Sequence, residues 1–478
     1  TAIDAYVSET NVVAGQTYTL TNGTDVATAN IFNSGLVYNP AGTDRINALQ
    51  NEDTLTGTGT NPTLNVTLGN ANDNGGTVVT PKLSGIETIN VGFTGSGATA
   101  VNQLDLQDSA NTGKEINITR ISDGIATATI DNISVASEKL SVSNSGQPGQ
   151  NVGFLFKNAA LNGAADATTL TIKDVQLGNL RVESRTPTAG IGFETINLVS
   201  SSDANTVGQF FAEDLETLNI SGDANLTLGA TGNVLNAGIV EATTLGAGLG
   251  NVQGSLKTVN AAELTGNLDI TFNGEFNAGR DGTSGQNTAL SVTGGKGNDT
   301  FRLNADTINT TDVVDGGEGT NTLVMTNGSV VNAAGTATAP VANVKKVQNL
   351  EVRAGHDNNV AADATVVNAD AFDSLAAIYV RNEGQNATFS AAEPMTVTLN
   401  NLTAAQGTAI TVAHGTTGNN GILNNVVNAN LKTSTGTAET VGITLVDGTN
   451  ADLRFNLQLS TNADVVTTAA VERVENIS

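Results

Sequence analysis

The phrase GIETINV at residues 85–91 returns as FETINLV (193–199), LETLNIS (215–221), LKTVNAA (256–262) and VERVENIS (471–478). In each copy apolar residues alternate with Thr, Asn or another polar residue, the period of a strand with one buried face. A phrase repeated at intervals of about 20–50 residues marks units that bury their apolar faces by stacking. Glu194 and Glu216 are 22 residues apart, whereas the other intervals are irregular. The expectation is therefore solenoid-like stretches interrupted by insertions. Asn90, Asn197 and Asn219 recur at matched positions. They serve either an amide ladder between stacked strands or plain turn chemistry.

Outward from this phrase the same texture continues. TLNVTLG (63–69), ATATIDNISV (126–135) and TTLTIKDV (168–175) are short alternating runs bounded by Gly, Asn, Asp or Ser, the signature of strands. The best helical spacing is in NADAFDSLAAIYV (368–380), where two or three turns would precede a return to strand at Ile378 to Val380. The fold class is all-β: a multi-domain, irregular β-solenoid or β-roll-like stack, with a β-sandwich-like arrangement as the alternative for the C-terminal part. Composition places soft boundaries after about residues 185 and 326, giving segments 1–185, 186–326 and 327–478. The closing VERVENIS is a strand phrase at the end of the sequence. It suggests either a fragment of a longer protein or a strand that completes a sheet with a neighbour.

Charge narrows the function. Of 478 residues only 20 are Lys or Arg against 46 Asp or Glu, a formal net charge of −26. Phosphate backbones need a basic surface, so nucleic acid is excluded as a partner. Such a charge opposes compaction, and a bound divalent cation would relieve it. There is no cysteine, which removes disulfides and thiolate chemistry. The two histidines, His356 and His414, do not form a zinc-binding spacing. No run of 18 apolar residues spans a membrane, and the opening TAIDAYVSET carries no basic-apolar leader.

One segment carries a chemical mechanism. TGGKGNDTFRL (293–303), followed by DVVDGGEGTNTLVM (312–325), matches or nearly matches the calcium-binding nonapeptide GGxGxDxUx. Glycines let carbonyls turn towards an ion, an aspartate supplies charge, and Phe301 or Leu323 anchors the following strand. The first copy offers Gly294, Gly295, Gly297, Asn298 and Asp299. The second offers Gly317, Gly319 and Asn321, with Asn where Asp should stand, and Asp312, Asp315 or Glu318 as compensating acids. The copies lie 22 residues apart rather than nine, so a long uniform β-roll is not expected. Weaker echoes at LTNGTDVATAN (20–30) and EDTLTGTGTNPTL (52–64) make Asp25, Asp44 and Asp53 either ligands or turn residues.

Taken in order, YTLTNGTD, DTLTGTGTNPTLNVTLG, GIETINV, LETLNISGDANLTLG, LKTVNAAELTGNLDIT and VTGGKGNDTF resemble the RTX-type bacterial surface proteins, including Caulobacter-type S-layer proteins. The resemblance covers roughly residues 17–326. It implies export by type I secretion, folding in external calcium (Ca2+), location at the cell surface, and assembly into lattices or service as an adhesin. Extracellular calcium sites with Kd of about 10⁻⁴–10⁻³ M contribute roughly 0.4–1.4 kcal/mol each at millimolar calcium. Several such sites rival a domain's net stability.

The expected function is thus structural: a secreted surface-layer or filament-forming protein that associates with itself. An RTX-type adhesin or ligand-binding module is the near alternative, and cell-surface polysaccharide a second candidate partner. A virion fibre or decoration protein is a more distant structural role. An enzyme on a β-helix is disfavoured, because the chain has no Trp, four Tyr, and no GxSxG, HExxH or P-loop motif.

Overall fold

The structure is a computed structural model that describes residues 16–39, 45–69, 77–186, 188, 190–212, 214–229, 239–240, 256–272, 289–303, 307–308, 310–325, 330–331, 343–356, 365–385, 395–414, 423–432, 440–446, 453–461 and 476–477. The chain forms two compact units. One is Thr1–Gly232 with Gly238–Leu256, the other Asn233–Ala237 with Lys257–Ser478.

In the first unit the repeated phrase is a column of strands. Thr17–Thr19, Ile31–Ser34, Thr63–Leu68, Thr88–Phe93, Glu115–Ile121, Lys139–Ser143, Ala167–Lys173, Thr195–Ser201 and Thr217–Gly222 lie side by side in that order, every pair parallel. Parallel neighbours with no helix between them mean that the chain makes one coil between each strand and the next. A second parallel sheet takes the return strands, from Thr77–Val79 and Ser96–Asp105 to Asn205–Phe211 and Leu226–Leu228. A third short sheet, Val26–Ala29, Thr54–Gly57 and Lys82–Ser84, fills a side of the first coils. The unit is a β-solenoid. The strands before and after residue 185, Ala167–Lys173 and Thr195–Ser201, pair along seven residues.

Alternation in the sequence becomes a core by register. Phe32, Leu64, Ile89, Ile116, Leu140, Leu170, Leu198 and Ile220 are successive partners across the first sheet, and each is buried. Each such side chain contributes about 1.5–3 kcal/mol of burial, and a one-residue slip would expose the column.

The second unit follows the same rule. Leu268–Phe272, Thr300–Leu303, Thr322–Met325, Asn349–His356, Ala377–Gln385, Ile410–His414 and Ile443–Val446 stack in parallel. Thr365–Asn368, Met395–Leu402, Leu423–Leu431 and Leu453–Thr461 stack beside them, also in parallel. The sandwich-like alternative for the C-terminal part thus gives way to the solenoid, because a sandwich is built from antiparallel strands. Among the described residues the antiparallel pairings are Leu36–Tyr38 with Arg45–Asn47 and an isolated bridge between Thr188 and Ile191.

The helical spacing at 368–380 yields only the 3-10 turn Ala369–Ala371, capped by the Asn368 side chain on the Asp370 amide. The strand Ala377–Gln385 then follows, because Ile378 and Val380 fill core positions of a stacked column. The one described α-helix, Ala404–Gly407, is fixed by a capping box between Thr403 and Gln406. That signal went unread in the sequence. No helix of the described residues is long and apolar enough to cross a membrane. Of the final VERVENIS only Asn476–Ile477 is described, paired in parallel with Thr440–Val441.

Candidate functional site

The two Gly–Asp loops lie on adjacent coils of the second unit, joining Ser291–Thr293 to Thr300–Leu303 and Val313–Asp315 to Thr322–Met325. Strand pairing brings Phe301 over Leu323. Asp299 and Asn321 precede those paired strands and occupy equivalent corners of their coils.

Asp299 is buried. One carboxylate oxygen accepts the Gly295 N–H of its own loop at 2.5 Å. The other accepts the Leu268 N–H of the preceding coil at 2.8 Å. Burial pushes its carboxyl up to about 6, against the two N–H donors, which favour the ionised form. Asn321, also buried, accepts the Asp299 N–H at 2.9 Å and donates to the Glu318 and Lys346 carbonyls at 3.0 Å each. Gln348 continues the series by accepting the Asn321 N–H at 2.8 Å. On the loop's exposed edge Asn298 accepts the Thr320 N–H, and its own N–H donates to Asn267, both at 2.8 Å.

The glycines have a packing reason. A Cβ on Gly317 would lie 2.3 Å from the Gly295 carbonyl oxygen, and one on Gly319 2.2 Å from that of Gly297. Both residues also have left-handed φ, 79° and 77°. Gly294 would press on the Gly316 carbonyl at 2.3 Å, and Gly295 and Gly297 on those of Leu264 and Gly266 at 2.6 and 2.7 Å. The loop backbones are in contact from coil to coil, and only hydrogen fits between them.

Two of the acids offered as compensation for Asn321 have partners of their own. Asp312 is buried and accepts the Leu290 N–H at 3.0 Å. Asp315 accepts the Gly317 N–H at 3.0 Å and forms an ion pair with Lys346 at 3.0 Å. Among the described residues no three acidic or histidine side chains form a group able to hold a metal. A calcium ion on these loops would need backbone carbonyls for most of its six to eight oxygens. Both Asp299 oxygens already accept an N–H, so part of its negative charge is met within the protein.

The echo at residues 20–30 repeats the geometry. Asp25 accepts the Thr21 N–H at 2.8 Å, four residues back as Asp299 does, and takes the Tyr18 hydroxyl at 2.8 Å. Asp53 on the next coil accepts the Asp25 N–H at 2.7 Å and the Gln50 N–H at 2.8 Å. Burial raises the Asp53 carboxyl, and the hydrogen bond to Asp25 raises the Tyr18 phenol. Asp44 lies outside the described residues.

The matched asparagines do form a ladder. Asn65 donates to Asn33, Asn90 to Asn65 and Asn117 to Asn90 at 2.8–2.9 Å, and Ser141 donates to Asn117 at 2.6 Å. Asn219 donates to Asn197 at 2.9 Å. Sequence reasoning found Asn90, Asn197 and Asn219 but missed Asn33, Asn65 and Asn117, whose strands lack the Glu-Thr pair that made the phrase conspicuous.

The chain matches no protein-family model, no curated protein and no solved structure.

Proposed function

We propose that this chain is a structural protein of the bacterial cell surface, secreted and then folded outside the cell, whose solenoids associate with further copies into a layer or filament. The observation that carries this reading is the continuity of the coil-to-coil bonding. Apolar columns, the Asn33-to-Ser141 ladder and the Asp299–Asn321–Gln348 corner each run from coil to coil. Such a body is stiff and repetitive, and it resists the mechanical load that a surface structure carries.

Calcium enters through the resemblance to RTX-type surface proteins and through the chain's charge. With Asp299 buried and a formal net charge of −26, external calcium would add stability that is missing where calcium is scarce. Asp299 and the carbonyls of the Gly294–Gly297 and Gly317–Gly319 loops would hold it. No catalytic role is assigned.

The test is light scattering and circular dichroism of the full chain in millimolar calcium and in chelator. Growth of large assemblies that dissolve or unfold in chelator supports the proposal. A folded monomer at all calcium concentrations overturns it, and one that also grips cell-surface polysaccharide points to an adhesin instead.

A further inference from the structure

In the first unit, the loop that leads from the 3-10 turn Asn158–Ala160 into the strand Ala167–Lys173 holds a carboxylate against a backbone nitrogen. Asn162 and Gly163 are exposed, directly after the buried Leu161. The Gly163 N–H donates to Asp166 Oδ2 at 3.0 Å. A Cβ on Gly163 would lie 2.8 and 2.9 Å from the two Asp166 carboxylate oxygens, so the carboxylate packs directly on the glycine, in space that a side chain would take. Asp166 is held in turn, because its own N–H donates to Glu194 Oε2 on the next coil at 2.6 Å.

In an Asn–Gly pair the side-chain amide is open to attack by the following backbone nitrogen, since glycine places no side chain beside that nitrogen. The reaction needs the nitrogen's proton removed, and a positioned carboxylate is a general base. A second Asn–Gly pair among the described residues, Asn22–Gly23, is also exposed but lacks the base. There the Gly23 N–H donates to the Thr21 hydroxyl oxygen at 3.2 Å. The same dipeptide thus occurs once with a carboxylate on its nitrogen and once with a neutral hydroxyl.

We infer that Asn162 is a self-modification site, deamidated by attack of the Gly163 nitrogen with Asp166 as the base. The Gly163 proton passes to the Asp166 carboxylate while the nitrogen bonds to the Asn162 side-chain carbonyl carbon. The carbon–nitrogen bond of the amide then breaks, and its nitrogen leaves with that proton as ammonia. Water opens the cyclic imide to aspartate or isoaspartate. Loss of ammonia makes the change one-way, and it adds a carboxylate to a loop already closed by Asp166 and Glu194, on a chain at −26. The site is a clock that marks the age of each molecule, and it does not depend on the surface-layer reading.

The test is peptide mass spectrometry of the full chain, incubated folded at neutral pH, with aspartate and isoaspartate counted at both sites. Conversion at Asn162 is expected to run about tenfold or more ahead of Asn22, and Asp166→Asn should remove most of that lead. A carboxylate base is ionised throughout the neutral range, so the Asn162 rate should change little between about pH 6 and pH 8, whereas the Asn22 rate should climb with hydroxide. That profile is read on the unaltered protein, so it decides even where the Asp166 variant disturbs the loop. In urea the carboxylate is no longer held, and the two rates should converge. Equal rates in the folded chain, matching pH profiles, or a lead that survives either urea or Asp166→Asn overturns the inference. Slower conversion at Asn162 also overturns it, and makes the Asp166 hydrogen bond a shield for the nitrogen.

Discussion

Asn321 bridges the Asp299 N–H and two carbonyl oxygens, of which an aspartate could meet only the first. Its amide oxygen accepts the Asp299 N–H while its amide nitrogen donates to the Glu318 and Lys346 carbonyls. The residue that looked like a lost ligand is the one side chain type that satisfies a donor and two acceptors at this corner. Asn321→Asp would aim a buried carboxylate at two carbonyl oxygens, one coil from Asp299. The expected outcome in chelator is a loss of about 2–4 kcal/mol in urea unfolding. A bound cation would return part of that loss, so the deficit should shrink in millimolar calcium.

Asp299 sets a pH dependence whose sign reports on calcium. Its folded carboxyl, at about 6, lies above the ordinary aspartate value of about 3.9. Between those values the folded protein holds a proton that the unfolded chain releases, so in chelator stability rises as pH falls from 7 towards 4, by roughly 1–3 kcal/mol. Asp299→Asn should flatten that rise. A calcium ion on the carboxylate depresses its folded value and reverses the slope. Thermal melts at pH 7 and pH 5, with and without calcium, check both signs.

Two glycines with similar backbones separate strain from coil contact. Gly149 and Gly319 both have left-handed φ, 85° and 77°, but a Cβ on Gly149 meets nothing within 4 Å, whereas one on Gly319 meets the Gly297 carbonyl oxygen at 2.2 Å. Gly149→Ala should cost about 1–2 kcal/mol, the strain alone. Gly319→Ala should cost clearly more, because two coils must part. Denaturant midpoints of the two variants provide the comparison.

The asparagine ladder makes a cooperative prediction. Asn90 is both donor to Asn65 and acceptor from Asn117, so Asn90→Ala leaves one acceptor and one donor without their partner. A loss of about 1–3 kcal/mol is expected. Amide exchange should quicken first in Thr63–Leu68 and Glu115–Ile121, the strands on either side.

Much of this fold was legible because a parallel coil repeats its buried positions, and Ile89, Ile196 and Leu218 announce that pattern beside the same Glu-Thr pair. Coils such as Lys139–Ser143 and Ala167–Lys173 keep the alternation without the pair, so their place in the stack appears only in three dimensions. The glycines of the Gly–Asp loops were legible as turns. That their spacing also serves contact with the next coil was not, because the contact joins residues 22 positions apart, such as Asp299 and Asn321.

The unequal length of the coils has a consequence for how the chain reaches this state. Neighbouring rungs are joined over 32 residues between Asn33 and Asn65 but only 22 between Asn197 and Asn219. Each rung closes on the one before it, so once a first pair has formed, every further coil adds for the entropy of one short loop. Folding is then a growth process with a moving front. Growth can start at any coil and spread both ways, so a defective rung stops only the front that meets it.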